Sequence, residues 1–146
     1  YISMGFGNPY GDIYSESLVY EWMTKMQSIG IKTISLADTV GVATEEQVFE
    51  TCKNAIGNFK DLEVGVHLHS SLFNLEAKAK AALQAGCKRF DAALKGIGGC
   101  PMAGDALVGN MDTEKLIAVL EKENCTFNLN KIALEEAAKM ATEIFV

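Results

Sequence analysis

Residues 62–94 read LEVGVHLHSSLFNLEAKAKAALQAGCKRFDAAL, and this stretch decides the fold. Apolar residues alternate with other residues at its start, which predicts a strand over Leu62–Leu68. A helix is then expected from about Phe73 to Ala85, where Gly86 ends it, followed by a second strand over Lys88–Leu94. A strand, a helix and a strand in this order predict two parallel strands joined by a right-handed crossover.

The same order of elements recurs along the chain. Two further strands are expected before this stretch, over Tyr1–Phe6 and Lys32–Leu36, and the helix-to-strand junctions Ile29–Ile34 and Ala85–Phe90 resemble each other. Strands that alternate regularly with helices are typical of serial βα units. The sequence therefore predicts an α/β fold of four serial βα units around a parallel sheet, in a single domain over residues 1–146.

The expected helices carry patterns that predict their ends and their buried faces. Residues 44–47 (TEEQ) predict a capping box, and further helices are expected from Asp112 or Thr113 to about Glu121 and over about Lys131–Ile144. In the helix near residues 15–29, a stripe at helical spacing is predicted to be buried: Leu18, Trp22, Met26 and Ile29. A stripe on the last helix favours internal packing but could face a second subunit, which leaves a homodimer open: Leu134, Ala138 and Ala141.

Composition and charge exclude several classes of partner. The chain has 146 residues, 49% of them hydrophobic, and a formal net charge of −6, with its basic residues scattered. Nucleic acid is therefore not expected as a partner, because phosphate binding needs a basic face. No apolar run approaches the ~20 residues of a membrane span, so no membrane partner is expected either. Four cysteines without a C-x-x-C pair are typical of a cytosolic protein with reduced thiols.

Polar side chains collect where the predicted strands end, which is where βα folds bind ligands. His67 and His69 are the only histidines of the chain. Residues i and i+2 of a strand point the same way, so the two imidazoles form a natural pair of metal ligands. Two half-exposed polar residues at a strand end are an equally good interpretation of this motif. Asp38 ends another strand, where it could orient substrate or a ligand, cap a helix or pair with Lys32.

A glycine-framed cysteine follows the last predicted strand. The loop Gly96–Pro101 (GIGGCP) sets Cys100 among three glycines, which allow the backbone to lie close to a ligand. Downstream, Asp112–Glu114 is explained by a helix N-cap, whereas Asn110 is not, and its amide oxygen could complete a site for a hard metal.

Five segments together resemble the 3-hydroxy-3-methylglutaryl-CoA (HMG-CoA) lyase family. The matching segments follow the family's order: the N-P-Y-G turn Asn8–Gly11, the S-L-x-D-T run Ser35–Thr39, the pair His67 and His69, the G-G-C-P loop within Gly96–Pro101, and the G-N-x-x-T-E run Gly109–Glu114. The G-G-C-P loop is the most specific of them. The others are shared with related barrel enzymes such as isopropylmalate synthases and oxo-acid aldolases.

The resemblance implies a (β/α)₈ barrel that uses Mg²⁺ or Mn²⁺. It implies His67, His69 and Asn110 as metal ligands and an acyl-CoA as the substrate. The implied reaction is retro-Claisen cleavage of HMG-CoA to acetyl-CoA and acetoacetate, as in leucine degradation and ketone-body formation, here in the cytoplasm. Cys100 would act as the proton donor, Asp38 would lie near the reacting hydroxyl, and His67 would serve in proton transfer as well as ligation.

Two departures from the family bear on these expectations. Ser70 and Ser71 follow H-x-H where relatives usually continue with Asp or Asn and then Thr. The Arg-Asp pair of the family's first strand has no match, because Arg89 is the only arginine and starts a strand. A (β/α)₈ barrel also has eight strands, and four are expected here. The chain is therefore predicted to be the C-terminal half of a barrel, strands about 5 to 8 plus C-terminal helices, without lyase activity in isolation.

Two alternatives to an HMG-CoA lyase stay open at the level of sequence. A related aldolase or an enzyme condensing acetyl-CoA with a keto acid is favoured mildly by Ser70 and Ser71, and opposed by Cys100. A barrel fragment without catalytic activity is the alternative from another class of protein, because fold alone does not fix function.

Overall fold

The computed structural model describes residues 1–99 and 108–145. Helices and strands alternate through this part of the chain as the sequence predicts. In chain order they are α1 (Glu16–Ser28), β1 (Thr33–Asp38), α2 (Glu45–Asn58), β2 (Glu63–Leu68), α3 (Leu75–Gln84), β3 (Arg89–Asp91), a 3₁₀ turn (Leu94–Gly96), α4 (Thr113–Lys122) and α5 (Lys131–Ile144). None of the described helices is long and apolar enough to cross a bilayer.

The described strands form one parallel sheet in the order β1-β2-β3. The register pairs Ala37 of β1 with His67 of β2, and His67 with Asp91 of β3. These paired side chains point to one face of the sheet. The opposite face is apolar and buried against α2 and α3, with Leu36 and Val66 at its centre. The predicted α/β fold with a parallel sheet is confirmed.

The predicted first strand is wrong in its extent. Within Tyr1–Phe6, Ile2 forms an isolated parallel bridge to Leu36, and the Gly5 N–H donates to the Ala37 carbonyl at 2.9 Å. The backbone turns at Met4, which has a φ of 55° and whose N–H donates to Thr39 Oγ1 at 2.8 Å. The segment therefore lies beside β1, as expected of a neighbouring strand, but the turn at Met4 prevents a regular ladder.

The buried stripe predicted for α1 is displaced by one position: Met26 is partly buried against the core, but the other three residues of the stripe are exposed. Val19 and Met23 face the core at 4% and 0% exposure, whereas Trp22 is 46% exposed. Both stripes have helical spacing, so periodicity alone does not distinguish them. Instead, Lys25 Nζ lies over the exposed indole, 4.3 Å from the centroid of the Trp22 ring. Such a cation–π contact suits a half-exposed aromatic ring.

The ends of the helices follow the predicted capping chemistry. Thr44 and Gln47 form the predicted capping box of α2, with Thr44 Oγ1 accepting from the Gln47 N–H and Gln47 Oε1 from the Thr44 N–H. Asp112 caps α4 by accepting from the Lys115 N–H at 2.9 Å. On α5, Ala138 and Ala141 are buried within the chain. This stripe is internal packing and gives no argument for a homodimer.

The sheet face that carries His67 is also polar towards the amino ends of the strands. Ser35 Oγ donates to Asp91 Oδ2 at 2.6 Å. The Arg89 guanidinium contacts Asp91 and Glu63, each at 3.4 Å. Arg89 starts β3, so its charge lies at the far end of the sheet from the carboxyl ends of the strands. The prediction that Arg89 starts a strand is confirmed.

Candidate metal centre

Two imidazoles meet at the carboxyl end of β2. His67 is the penultimate residue of β2 and His69 follows the strand, and their ring centroids lie 5.2 Å apart at an interplanar angle of 83°. The rings point to the same face because residues two apart in extended chain do so. The structure therefore brings together the two histidines singled out in the sequence.

The ring of His69 is held by a hydrogen bond. Its Nδ1 lies 3.0 Å from the carbonyl oxygen of Val108, and the residue is 4% exposed. A carbonyl accepts only, so Nδ1 carries a proton, and in the neutral tautomer Nε2 then has the lone pair. This arrangement leaves Nε2 available to a ligand, and the outer hydrogen bond fixes the ring in the way that partners of metal-binding histidines do.

The surroundings of His67 favour the neutral form of its ring. Burial and the neighbouring His69 lower the pKa of His67 below its ordinary value, and Asp91 acts in the opposite direction. The neutral imidazole is the form that binds metals and the form that can accept a proton. Tyr1 packs against this ring edge-on, with centroids 5.5 Å apart.

Asn110 stands beside His69 with its amide oriented. The two residues form an isolated antiparallel bridge, and Asn110 Nδ2 donates to the carbonyl of Ile97 at 2.9 Å. The backbone at Gly98 has a φ of 86°, and a Cβ there would come within 3.1 Å of Asn110 Nδ2. With Nδ2 engaged in this way, the Oδ1 atom is left for a ligand.

His67, His69 and Asn110 line one cavity of about 360 Å³, together with Tyr1, Thr39 and Gly99. Two imidazoles and an amide oxygen suit a divalent cation in kind, but all three are neutral. The described residues contain no cluster of three His, Cys, Asp or Glu side chains that could hold a metal. These donors fit Mg²⁺ or Mn²⁺ in part, and a cation bound here would need an anionic oxygen from another source.

Asp38 lies on the other face of the sheet from His67. Because Ala37 is the residue paired with His67, the next side chain points towards the helices. Asp38 is 1% exposed, and its carboxylate accepts from Lys78 Nζ at 2.7 Å and from the Ala43 N–H at 3.1 Å. This geometry places the carboxylate in the sheet–helix core, and the predicted contact with a reacting hydroxyl finds no support in it.

The remaining predicted catalytic residue, Cys100, lies outside the described residues. Of the other cysteines, Cys52 and Cys87 are buried, and burial raises the pKa of both thiols, that of Cys87 to about 11. Protonated, buried thiols of this kind pack as small apolar residues.

Sequence reasoning missed three residues that shape the site. Thr39 lines the cavity and follows Asp38, so its position at a strand end could have signalled it. Asp91 ends β3 in register with His67, and the alternation along that strand could have placed it on the same face. Nothing in the sequence could have indicated a buried role for Lys78, because a lysine on a helix is ordinarily exposed to solvent.

Gly41 offers a test of how the His69 ring is held. A Cβ at Gly41 would lie 2.9 Å from Val108 Cγ1, and its φ is +73°. We expect Gly41→Ala to lower the free energy of unfolding by about 1–3 kcal/mol. It should also weaken Mn²⁺ binding, since Val108 would shift and carry with it the carbonyl that accepts from His69. Urea unfolding and Mn²⁺ titration by electron paramagnetic resonance measure the two effects.

Gly30→Ala is the matched control for this variant. Gly30 has a φ of +92°, and a Cβ there would meet nothing within 4 Å. It therefore carries the backbone strain without the clash, and Mn²⁺ affinity should stay at the parent value. Equal Mn²⁺ affinities for the two variants would contradict the link between Gly41, Val108 and the ring.

Comparisons with known proteins identify the family of the chain. The HMGL-like family model matches residues 3–141. The chain is 40% identical over 116 residues to the (R)-citramalyl-CoA lyase of Chloroflexus aurantiacus, covering 80% of this chain and 36% of that protein. It is 32% identical to a hydroxymethylglutaryl-CoA lyase of Bacillus subtilis, covering 98% of this chain and 48% of that protein.

A solved structure shows the same fold. The HMG-CoA lyase from Acinetobacter baumannii, in complex with coenzyme A and 3-methylmalate, superposes with a TM-score of 0.84 at 29% identity, covering 97% of this chain and 46% of that one. The chain thus spans less than half the length of these relatives, and the segment that it matches holds the cavity of His67, His69 and Asn110. On the family match and these identities, the chain belongs to the HMGL-like family.

Proposed function

We propose that this chain forms the metal-binding part of the active site of an acyl-CoA lyase, with HMG-CoA as substrate and acetyl-CoA and acetoacetate as products. The observation that carries the proposal is the convergence of His67, His69 and Asn110 on one cavity at the carboxyl end of β2. Its relatives include lyases named for HMG-CoA and for citramalyl-CoA, and the solved relative contains coenzyme A with a hydroxy dicarboxylate.

The proposed cofactor is Mg²⁺ or Mn²⁺, bound by the two imidazoles and Asn110 Oδ1. When bound, such a cation polarises substrate oxygens as a Lewis acid. The protein's part is to orient these ligands, which the hydrogen bonds from His69 to Val108 and from Asn110 to Ile97 do. An anionic oxygen from the rest of the protein or from the substrate completes the ligand set.

We further propose that the chain is the C-terminal half of a (β/α)₈ barrel. The parallel order β1-β2-β3 and the bridge of Ile2 to Leu36 suit four adjacent positions around such a barrel. The relatives are about twice as long as the part they share with this chain. The other half would then supply the missing anionic ligand, so the isolated 146 residues should not turn over substrate.

Two proton transfers accompany the cleavage. The tertiary hydroxyl of the substrate loses its proton to a base, and neutral His67 is suited to accept it. The bond between C2 and C3 then breaks, the C3 hydroxyl oxygen becomes the ketone of acetoacetate, and the electron pair stays on C2 of the acetyl thioester. A proton on that carbon completes acetyl-CoA, and we assign its donation to the Cys100 thiol.

A citramalyl-CoA lyase is the second candidate function. The identity of 40% to the Chloroflexus aurantiacus enzyme favours it. Citramalyl-CoA carries its carboxylate one carbon closer to the reacting carbon than HMG-CoA does, and its cleavage gives acetyl-CoA and pyruvate. The two substrates therefore need the same cation and proton transfers but a different carboxylate pocket.

An assay of the natural protein, as its gene encodes it, tests both candidates. We expect cleavage of HMG-CoA with Mg²⁺ or Mn²⁺, measured as acetoacetate, to exceed that of citramalyl-CoA, measured as pyruvate, by at least about 10-fold in kcat/KM, which one displaced carbon can supply. The reverse preference would select the second candidate. If the protein condenses acetyl-CoA with a keto acid and cleaves neither HMG-CoA nor citramalyl-CoA, it is a condensing enzyme and not a lyase.

The same preparation tests the remaining expectations. No turnover of either thioester with either cation would contradict the lyase and favour a domain without catalytic activity. The isolated chain of residues 1–146 is the comparison sample, and family-like turnover by it would contradict the half-barrel proposal. Fractionation of cells tests the cytoplasmic location, which we propose from the reduced-thiol pattern of the sequence.

A further inference from the structure

Lys78 is a buried lysine on the inner face of α3. The residue is 1% exposed, and its side chain packs between the helix and the carboxyl ends of β1 and β2. Lysines are almost never fully buried without a partner, because removing an ammonium from water is costly. Each of the three N–H donors of a buried lysine therefore needs an acceptor within the protein.

The ammonium has three acceptors from three different segments. Nζ donates to Asp38 Oδ2 at 2.7 Å, to the carbonyl of Gly41 at 3.2 Å and to the carbonyl of His69 at 3.0 Å. These acceptors lie at the end of β1, in the loop after β1 and just after β2. One side chain thus ties together the backbone on which this edge of the cavity is built.

Two of these bonds lead to the same imidazole. The bond to the His69 carbonyl fixes the backbone of that residue directly. The bond to Gly41 fixes a residue so close to Val108 that no Cβ would fit between them. The carbonyl of Val108 in turn accepts from His69 Nδ1. Lys78 therefore holds His69 by its main chain and, through Gly41 and Val108, by its ring.

We propose that Lys78 is a positioning residue for the metal ligand His69, and that Asp38 serves the site by neutralising this buried ammonium. The inference rests on the proposed metal-binding role of His69. It deepens that proposal by giving the Asp38 carboxylate a function on the helix side of the sheet, where the structure places it. Stability alone does not require this arrangement, because an apolar pair of similar volume is often at least as stable as a buried ion pair.

The test compares three variants of the natural protein. Lys78→Met removes the donors but leaves the Asp38 carboxylate buried and unpaired. Asp38→Asn with Lys78→Met removes both charges, which avoids the cost of a buried unpaired carboxylate, while the bonds to Gly41 and His69 are still lost. Lys80→Met is the matched control, since Lys80 lies on the same helix and pairs with Glu76 and Glu123 near the surface.

We expect the double variant to bind Mn²⁺ at least about 10-fold more weakly than the parent, the loss typical of removing support behind a ligand. Lys80→Met should bind it normally. In the metal-free protein, ¹⁵N spectra of labelled histidine should show a single Nδ1-protonated tautomer of His69 in the parent and a mixture in the double variant. This second readout needs neither metal nor substrate, and a purely structural role for Lys78 would not change it.

The outcomes separate this inference from the proposed function. If the double variant keeps parental Mn²⁺ affinity and a single His69 tautomer, the role of Lys78 is refuted even where Lys78→Met alone fails to fold. If His69→Ala leaves Mn²⁺ binding unchanged, the proposed metal centre itself fails. Loss of Mn²⁺ binding in His69→Ala together with normal binding in the double variant would refute only the inference about Lys78.

Discussion

Replacing His69 by alanine is expected to lower the Mn²⁺ affinity and the lyase turnover of the natural protein by more than about 100-fold. Loss of a hydrogen-bonding partner behind a ligand already costs about 10- to 100-fold, so loss of the ligand itself should cost more. In this site the remaining described donors would be one imidazole and one amide oxygen, both neutral. Mn²⁺ titration by electron paramagnetic resonance and a coupled thioester assay measure the two losses.

A control variant nearby distinguishes loss of a ligand from general damage. Phe73→Ala also replaces an aromatic ring by a methyl group, four residues downstream, and Phe73 is 98% exposed. Its Mn²⁺ affinity, turnover and free energy of unfolding should stay close to those of the parent. A His69→Ala protein that still binds Mn²⁺ with parental affinity would remove the metal centre from the proposal.

Replacing Cys100 by alanine is expected to lower kcat by about 10²- to 10⁴-fold, the usual contribution of a positioned general acid or base. The thiol is assigned to protonate the acetyl carbon after the C2–C3 bond breaks, a step that follows binding. Mn²⁺ affinity should therefore be unchanged in this variant. The combination of lost turnover and intact metal binding is the signature of a proton donor rather than a ligand.

Cys125→Ala is the matched control for this experiment. Cys125 is a free, partly buried cysteine on the connection between α4 and α5, remote in sequence from the G-G-C-P loop. It should retain parental kcat. A Cys100→Ala enzyme with parental kcat would leave the protonation to another group, and equal losses in both cysteine variants would point to misfolding.

The elements of this fold were largely predictable, because they depend on local patterns. Alternation predicted β2 to within one residue, and the box of Thr44 and Gln47 predicted the start of α2. The predictions failed where the structure depends on contacts between segments distant in sequence. The turn at Met4 depends on Thr39, 35 residues away in sequence, and the choice of Val19 over Trp22 as a buried position depends on what α1 packs against.

The site was predictable in its residues but only partly in its arrangement. The spacing of His67 and His69 was enough to predict that their rings share a face. The register between two strands cannot be predicted from either strand alone. Asp38 was therefore expected beside the histidines, but Ala37 is the residue that pairs with His67, so the Asp38 side chain points towards the helices. The hydrogen bond from His69 to Val108 and the three hydrogen bonds of Lys78 join segments distant in sequence, and no sequence motif predicts them.

The polar network of Ser35, Glu63, Arg89 and Asp91 bears on the order in which the protein folds. An apolar face in that position would have to be covered as soon as the strands form. Here the side chains satisfy one another, and water can hydrate what remains. The three strands can thus assemble against α2 and α3 first, driven by the apolar face, and the face with His67 can be enclosed last. In the proposed barrel, closure of the other half over His67 would then be a docking step between surfaces that are already formed.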